Sequence, residues 1–204
     1  MPDEILRTFI AIELDEPPRI ALRSVQEKLK RQTPPGSVKW VGPDGIHLTL
    51  KFLGDTPRSR VAEIETALQA ACDGLESFEF SVEGRGCFPN FRRPRVIWVA
   101  VREKSGTLTR LQTAVERNVA PLGWPTEERA FSPHLTLGRV AKGADDRTAA
   151  AVGQAVERSV VEQIGLQRVT AVSLVQSDLR PTGAVYAQLL QIALAGAANA
   201  GQGG

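Results

Sequence analysis

The chain contains two histidines, and both begin the same tetrapeptide, His-Leu-Thr-Leu, at His47 and at His134. Because alternate side chains of a β-strand share a face, each histidine would project together with the threonine two residues later, Thr49 or Thr136. The leucines of each copy would face the other way and anchor the strand in the core. Two such strands could present two imidazoles and two hydroxyls to one cleft.

Two imidazoles facing one cleft would suit acid–base catalysis on a phosphodiester. A histidine side chain has an ordinary pKa near 6.5, so one ring can be neutral while the other is charged. The neutral ring can take a proton from water as it attacks phosphorus, and the charged ring can protonate the departing oxygen. The hydroxyls of Thr49 and Thr136 can donate to the non-bridging phosphate oxygens.

Other interpretations explain the histidines less well. A lone histidine between leucines is usually structural, but two histidines in identical contexts argue for a shared role. Structural zinc sites need four ligands and catalytic ones three, and no nearby cysteine or carboxylate signature completes such a set. No Gly-x-Ser-x-Gly or cysteine-centred motif indicates a covalent nucleophile.

Hydrophobic periodicity predicts alternating strands and helices, and the repeated tetrapeptide suggests two related half-units. The predicted strands cover residues 7–14, 38–41, 46–54, 78–82, 95–101, 133–138, 169–175 and 184–192. The predicted helices begin near Pro17, Thr56, Leu108 and Ala144, and Arg180 to Gly183 has the composition of a hairpin turn.

The composition is that of an ordinary globular protein, with 204 residues, 42% hydrophobic, 24% charged and a net charge of +2. Residues 1–193 are expected to form a single two-lobed domain, and the low-complexity residues 194–204 a disordered tail. The sequence has neither a signal peptide nor a membrane-length apolar run, so we expect a cytoplasmic protein. Cys72 and Cys87 are expected to be buried free thiols.

Three segments resemble a known family. WVGPDGIHLTLKFLGD (Trp40 to Asp55), GCFPNFRRPRVIWVAV (Gly86 to Val101) and FSPHLTLGRV (Phe131 to Val140) are similar to the two-histidine (2H) phosphoesterase superfamily. Within it, the chain resembles the bacterial and archaeal RNA 2',3'-cyclic phosphodiesterases, historically called 2'-5' RNA ligases.

The resemblance implies an α/β (α+β) fold with two lobes. Two antiparallel sheets, related by a pseudo-two-fold axis and flanked by helices, would enclose a central cleft. The implied reaction is hydrolysis of a terminal RNA 2',3'-cyclic phosphate to a 2'-phosphomonoester, with a weak reverse 2'-5' ligation. By the same resemblance His47 is the proton donor, His134 is the proton acceptor, and Arg139 holds the phosphate beside Thr49 and Thr136.

No metal and no cofactor are implied. The expected partners are RNA ends, such as tRNA halves or other short RNAs, or nucleotide cyclic phosphates, and we expect a monomer that binds no membrane. Two alternatives stay open: a cyclic phosphodiesterase that acts on a small nucleotide metabolite, and a non-catalytic module that binds RNA ends.

The strand pattern allows two positions for several residues near the motifs. Strict alternation puts Arg139 on the leucine face, so its contact with phosphate requires a bulge or the strand's end near Gly138, and a surface salt bridge is the alternative. Lys51 lies four residues after His47 and would share its face of the strand, which predicts a position at the rim of the cleft. The loop from Phe91 to Arg95 could contact single-stranded RNA or be solvated surface. Phe9 and Trp40 could line the cleft or pack in the core.

Overall fold

The computed structural model describes residues 3–180 and 183–197. The described strands are β1 (Ile5–Glu13), β2 (Val38–Trp40), β3 (His47–Pro57), β4 (Phe78–Phe88), β5 (Val96–Arg102), β6 (His134–Val140), β7 (Leu166–Val169), β8 (Ala171–Arg180) and β9 (Gly183–Ala193). The described helices are α1 (Glu16–Gln32), α2 (Val61–Cys72), α3 (Thr107–Val119) and α4 (Asp146–Arg158).

The strands form an antiparallel sheet in the order β7-β4-β5-β6-β3-β1-β8-β9, with β2 paired to β6. Strands β6 and β3 pair at one position, Leu48 opposite Leu135, and this pair joins a β7-β4-β5-β6 half to a β3-β1-β8-β9 half. The predicted mixed α and antiparallel β fold class is confirmed.

The four helices pack on the sheet through their apolar stripes. Helices α2 and α3 pack together against β8, β9 and β3, and α1 and α4 pack together near β4. Leu22 and Leu29 of α1 are fully buried, as their helical spacing predicts. Most buried apolar residues join one large core cluster, which lies between the helices and the sheet.

Strand β5 corrects one expectation. Its sequence is apolar on both faces, which predicts a fully buried strand, but in the structure buried and half-exposed residues alternate. Ile97, Val99 and Val101 enter the core, whereas Trp98 and Ala100 lie on the opposite face of the sheet, the face that carries the histidines.

The packed region extends past the predicted domain end at residue 193. Leu194 is buried, and the backbone of Ala195 makes hydrogen bonds with Leu75 and Ser77. Residues 198–204 of the predicted tail lie outside the described residues, as do Pro181 and Thr182 of the predicted hairpin turn. In the described part of the chain, the helices are too short or too polar to cross a membrane.

Candidate active site

The two copies of the tetrapeptide meet where the two halves of the sheet join. Leu48 and Leu135, the second residue of each copy, are antiparallel partners. Continued by one residue in each direction, this register sets His47 beside Thr136 and Thr49 beside His134. Because the two leucines are completely buried, the four polar side chains project from the opposite face of the sheet. The structure therefore brings both histidines and both threonines to one surface.

Each copy is followed by the same irregularity. In β3 the pairing with β1 passes from Thr49 directly to Lys51 and leaves out Leu50. In β6 the pairing with β5 passes from Thr136 to Gly138 and leaves out Leu137. A one-residue bulge of this kind reverses the alternation of the residues that follow it.

The bulge in β6 moves Arg139 to the face that carries the histidines. Arg139 lies opposite Val96, and Thr136 lies opposite Trp98. Val96 and Trp98 are two residues apart in β5 and share a face, so Arg139 and Thr136 share that face too. From the sequence, Arg139 could contact a ligand only if the strand had such a bulge near Gly138. The structure contains this bulge. Among the described residues Arg139 forms no ion pair, so the alternative of a surface salt bridge has no support.

The bulge in β3 moves Lys51 in the opposite direction and contradicts its predicted rim position. Lys51 is 4% exposed and lies on the core side, where its Nζ is 2.6 Å from Oε2 of the buried Glu116. It also donates a hydrogen bond to the carbonyl of Pro125. The next residue, Phe52, turns to the histidine face, where it is 65% exposed and lies opposite Phe9.

The His47 ring lies in an apolar setting. It stacks on Phe9 with a centroid separation of 4.4 Å, and Tyr186 meets it edge-on at 5.2 Å. Burial lowers the pKa of His47 to about 4, against the opposing effect of a hydrogen bond with the backbone of Gly45. Phe9 combines the two positions that the sequence left open, since it packs in a small buried apolar cluster and also contacts the His47 ring, whereas Trp40 packs against the main core.

The His134 ring has a similar setting in the other half of the sheet. Phe88 meets it edge-on at 4.9 Å and Trp98 lies at 6.2 Å. Its Nδ1 lies 2.7 Å from the carbonyl oxygen of Ser132, an acceptor, so in the neutral ring Nδ1 carries the proton and Nε2 the lone pair. Burial lowers the pKa of His134, the Ser132 hydrogen bond opposes this effect, and the charge of Arg139 lowers the pKa further.

The remaining polar groups on this face are available to a ligand. The hydroxyls of Thr49 and Thr136 are half-buried and make no hydrogen bond with another described residue. The Arg139 guanidinium acts electrostatically on both His134 and Tyr186, which come from different halves of the sheet. A phosphate placed among these groups would meet two imidazoles, two hydroxyls and a guanidinium.

Sequence reasoning overlooked Phe52 and Tyr186. An alignment of HLTLKF with HLTLGR puts Phe52 at the position of Arg139, and that comparison could have identified it. Tyr186 gives no such signal, because it reaches His47 through the β8–β9 pairing and not through a local motif.

The loop from Phe91 to Arg95, a predicted RNA contact, packs on α4. Phe91 packs against the core, and a Cβ on Gly153 of α4 would collide with the Phe91 carbonyl oxygen. Arg93 lies 3.6 Å from Asp146 in an exposed ion pair. Contact between this loop and RNA stays a prediction.

Comparison with known proteins adds a second line of evidence. Two consecutive stretches, residues 12–98 and 99–186, each match the LigT like Phosphoesterase family. This chain belongs to that family. The double match also agrees with the two half-units that the repeated tetrapeptide of this LigT-like phosphoesterase suggested.

Several relatives and solved structures resemble this LigT-like phosphoesterase along most of its length. An RNA 2',3'-cyclic phosphodiesterase of Methanothermobacter thermautotrophicus is 38% identical over 186 residues, which are 90% of this chain and 96% of the relative. One of Archaeoglobus fulgidus is 35% identical, covering 90% and 98%. A Thermus thermophilus structure has a TM-score of 0.74 at 29% identity, covering 92% of this chain and 97% of that one. The Escherichia coli LigT structure with 3'-AMP has a TM-score of 0.72 at 23% identity, covers 94% and 99%, and supports the fold.

Proposed function

We propose that this protein hydrolyses the 2',3'-cyclic phosphate at an RNA end to a 2'-phosphomonoester. The observation that carries the proposal is the meeting of the two HLTL copies at the Leu48 and Leu135 pair, which sets both histidines on one surface. The relatives named RNA 2',3'-cyclic phosphodiesterase support the reaction class.

In this proposal His134 is the proton acceptor. Its Nδ1 is held by the Ser132 carbonyl, so its free Nε2 can take a proton from water as the water oxygen attacks phosphorus. The bond from phosphorus to the ribose O3' breaks, and His47 gives its proton to O3'. The products are a 2'-phosphate and a 3'-hydroxyl, and transfer of the proton from His134 back to His47 through solvent restores the enzyme.

Thr49, Thr136 and Arg139 would bind the phosphate. The hydroxyls can donate to the non-bridging oxygens, and the guanidinium can donate two hydrogen bonds to the same group. Negative charge increases on these oxygens as the pentacoordinate state forms, so the contacts strengthen there and lower the barrier. Attack on phosphorus by the 5'-hydroxyl of a second RNA in place of water, with O3' leaving as before, would give a weak 2'-5' ligation through the same groups.

Phe52 would support the terminal base. It is an exposed aromatic ring on the histidine face, and its ring centroid lies 6.0 Å from that of Phe9. Unpaired bases bind proteins by stacking on such rings, and the preference for sequence is small because every base has a π-face. Since Phe52 lies beside the first histidine copy and Arg139 beside the second, the base and the phosphate would bind on different sides of the site.

The test is conversion of an oligonucleotide with a 2',3'-cyclic phosphate to the 2'-phosphomonoester in the presence of EDTA. The described residues contain no group of three or more His, Cys, Asp or Glu able to hold a metal ion, so we expect full activity with the chelator. His47→Ala and His134→Ala should each lower kcat by about 10²–10⁴-fold.

Arg110→Ala, an exposed cation of α3, is the matched control and should keep wild-type turnover. Near-normal turnover by either histidine variant would reject that residue's role. Binding of the RNA end without any turnover would favour the non-catalytic module.

A further inference from the structure

Lys39 of β2 lies directly opposite Arg139 of β6. Directly opposed residues of an antiparallel pair project from the same face of a sheet. Since the bulge turns Arg139 to the histidine face, Lys39 projects from that face as well. Its side chain is exposed, at the edge of the candidate site.

The facing positions of these two cations do not favour folding. Like charges directly opposite one another across a β-ladder repel and destabilise the pairing. Neither Lys39 nor Arg139 has an ion pair with a carboxylate in the part of the chain that the structure describes. Departures of this kind from local consistency are expected at functional positions, where a ligand supplies the missing charge.

A ligand that supplies the missing charge to both residues is an anion, and an anion with more than one phosphate can place one beside each of them. Arg139 acts on His134 and Tyr186 and therefore faces the reacting phosphate, whereas Lys39 lies one strand farther out, on the edge strand β2. An RNA chain carries further phosphates along its backbone, and phosphate contacts of lysine fix the register of a nucleic acid on a protein.

We propose that Lys39 binds the backbone phosphate one nucleotide before the terminal cyclic phosphate, so that the site favours a polynucleotide end over a free cyclic mononucleotide. This inference rests on the proposed function. A cyclic mononucleotide with no 5'-phosphate lacks the group that Lys39 would bind, so the contact separates the two substrate classes that the sequence left open.

The experiment compares Lys39→Gln with the unaltered protein on a short RNA that ends in a 2',3'-cyclic phosphate and on 2',3'-cyclic AMP. For the RNA, kcat/KM should fall about tenfold through KM, the equivalent of one lost charge-assisted contact. For cyclic AMP the change should be less than about twofold. The slope of log kcat/KM against log salt concentration for the RNA should become shallower by about 0.7–1.

Two further variants serve as controls. Lys28→Gln removes an exposed lysine from α1 and should change neither substrate, and Lys39→Arg keeps the charge and should keep most of the activity on RNA. Equal losses on both substrates, or an unchanged KM for RNA in Lys39→Gln, would overturn the inference. If the unaltered protein opens neither substrate, the proposed function fails instead, and the two failures are therefore distinguishable.

Discussion

The two histidines share their motif but not their surroundings. Burial between Phe9 and Tyr186 lowers the pKa of His47 to about 4, and burial also lowers the pKa of His134. The lowered pKa values favour the neutral form of both rings at pH 7 in the unliganded protein, so in the proposed mechanism His47 must gain the proton that it donates when substrate binds. A cyclic phosphate is an anion, and an anion beside His47 favours the charged form of the ring.

The lowered pKa values of both histidines predict an acidic optimum for kcat/KM, which reports on the free enzyme. Both pKa values lie below 6.5, so above that pH only a small fraction of the free enzyme holds the proton that His47 would donate. At low pH His134 is charged as well, and the base is lost. We expect kcat/KM, measured from pH 3.5 to 8.5, to have its maximum below pH 6.5 and to fall as the pH rises through 6.5. A maximum above pH 7 would contradict the assignment.

At the scale of single elements, the paired bulges determine which residues enter the site. Without them, alternation would put Lys51 on the histidine face and Arg139 in the core. With them, Lys51 and Gly138 turn inward, and Phe52 and Arg139 turn toward the histidines. A Cβ on Gly138 would lie 2.7 Å from Val38, so this inward position requires a glycine.

The sequence predicted the strands and the histidine face because periodicity and the repeat both report on them. Periodicity alone does not locate the bulge at Leu50, because an extra residue leaves no trace in the pattern of apolar and polar types, and it therefore misplaces Lys51. Phe52 can be found only when the two repeats are aligned with each other. Tyr186 depends on tertiary pairing between distant strands, which a local pattern does not encode.

Because Lys51 is buried beside Glu116, we expect its substitution to lower the stability of the fold strongly. Lys51→Met would leave the carboxylate of Glu116 buried with no cationic partner, and we expect the free energy of unfolding to fall by about 3–5 kcal/mol. The double variant Lys51→Met with Glu116→Leu should recover most of the loss, because it removes the second charge too. Urea unfolding measures both values.

An exposed ion pair is the matched control for the buried one. Arg58 and Glu4 lie 3.2 Å apart with both side chains more than half exposed, so Arg58→Met should cost less than about 1 kcal/mol. Equal losses for the single and double Lys51 variants would show that the charge of Glu116 is not the cause.

At the scale of the whole molecule, the two sequence repeats do not correspond to two independent structural units. Strand β1 pairs with β8 from the end of the chain, and β4 from the first family match lies in the half of the sheet that contains β5 and β6. Helix α2 packs on α3, and α1 packs near α4. The site forms where the halves join, so it requires both repeats.

This interleaving predicts that neither half of the chain folds alone. A fragment of residues 1–104 would retain β1 with β3 and β4 with β5, but it would lack β6, which joins these pairs, and α3, the partner of α2. Its apolar helix faces and strand edges would stay unpartnered, so we expect little ordered structure by circular dichroism and no cooperative thermal transition. When this fragment is mixed with a fragment of residues 105–204, ordered structure and a cooperative transition should return, because the cut falls in an exposed turn. A cooperative transition of the 1–104 fragment by itself would show that the first repeat forms a core of its own.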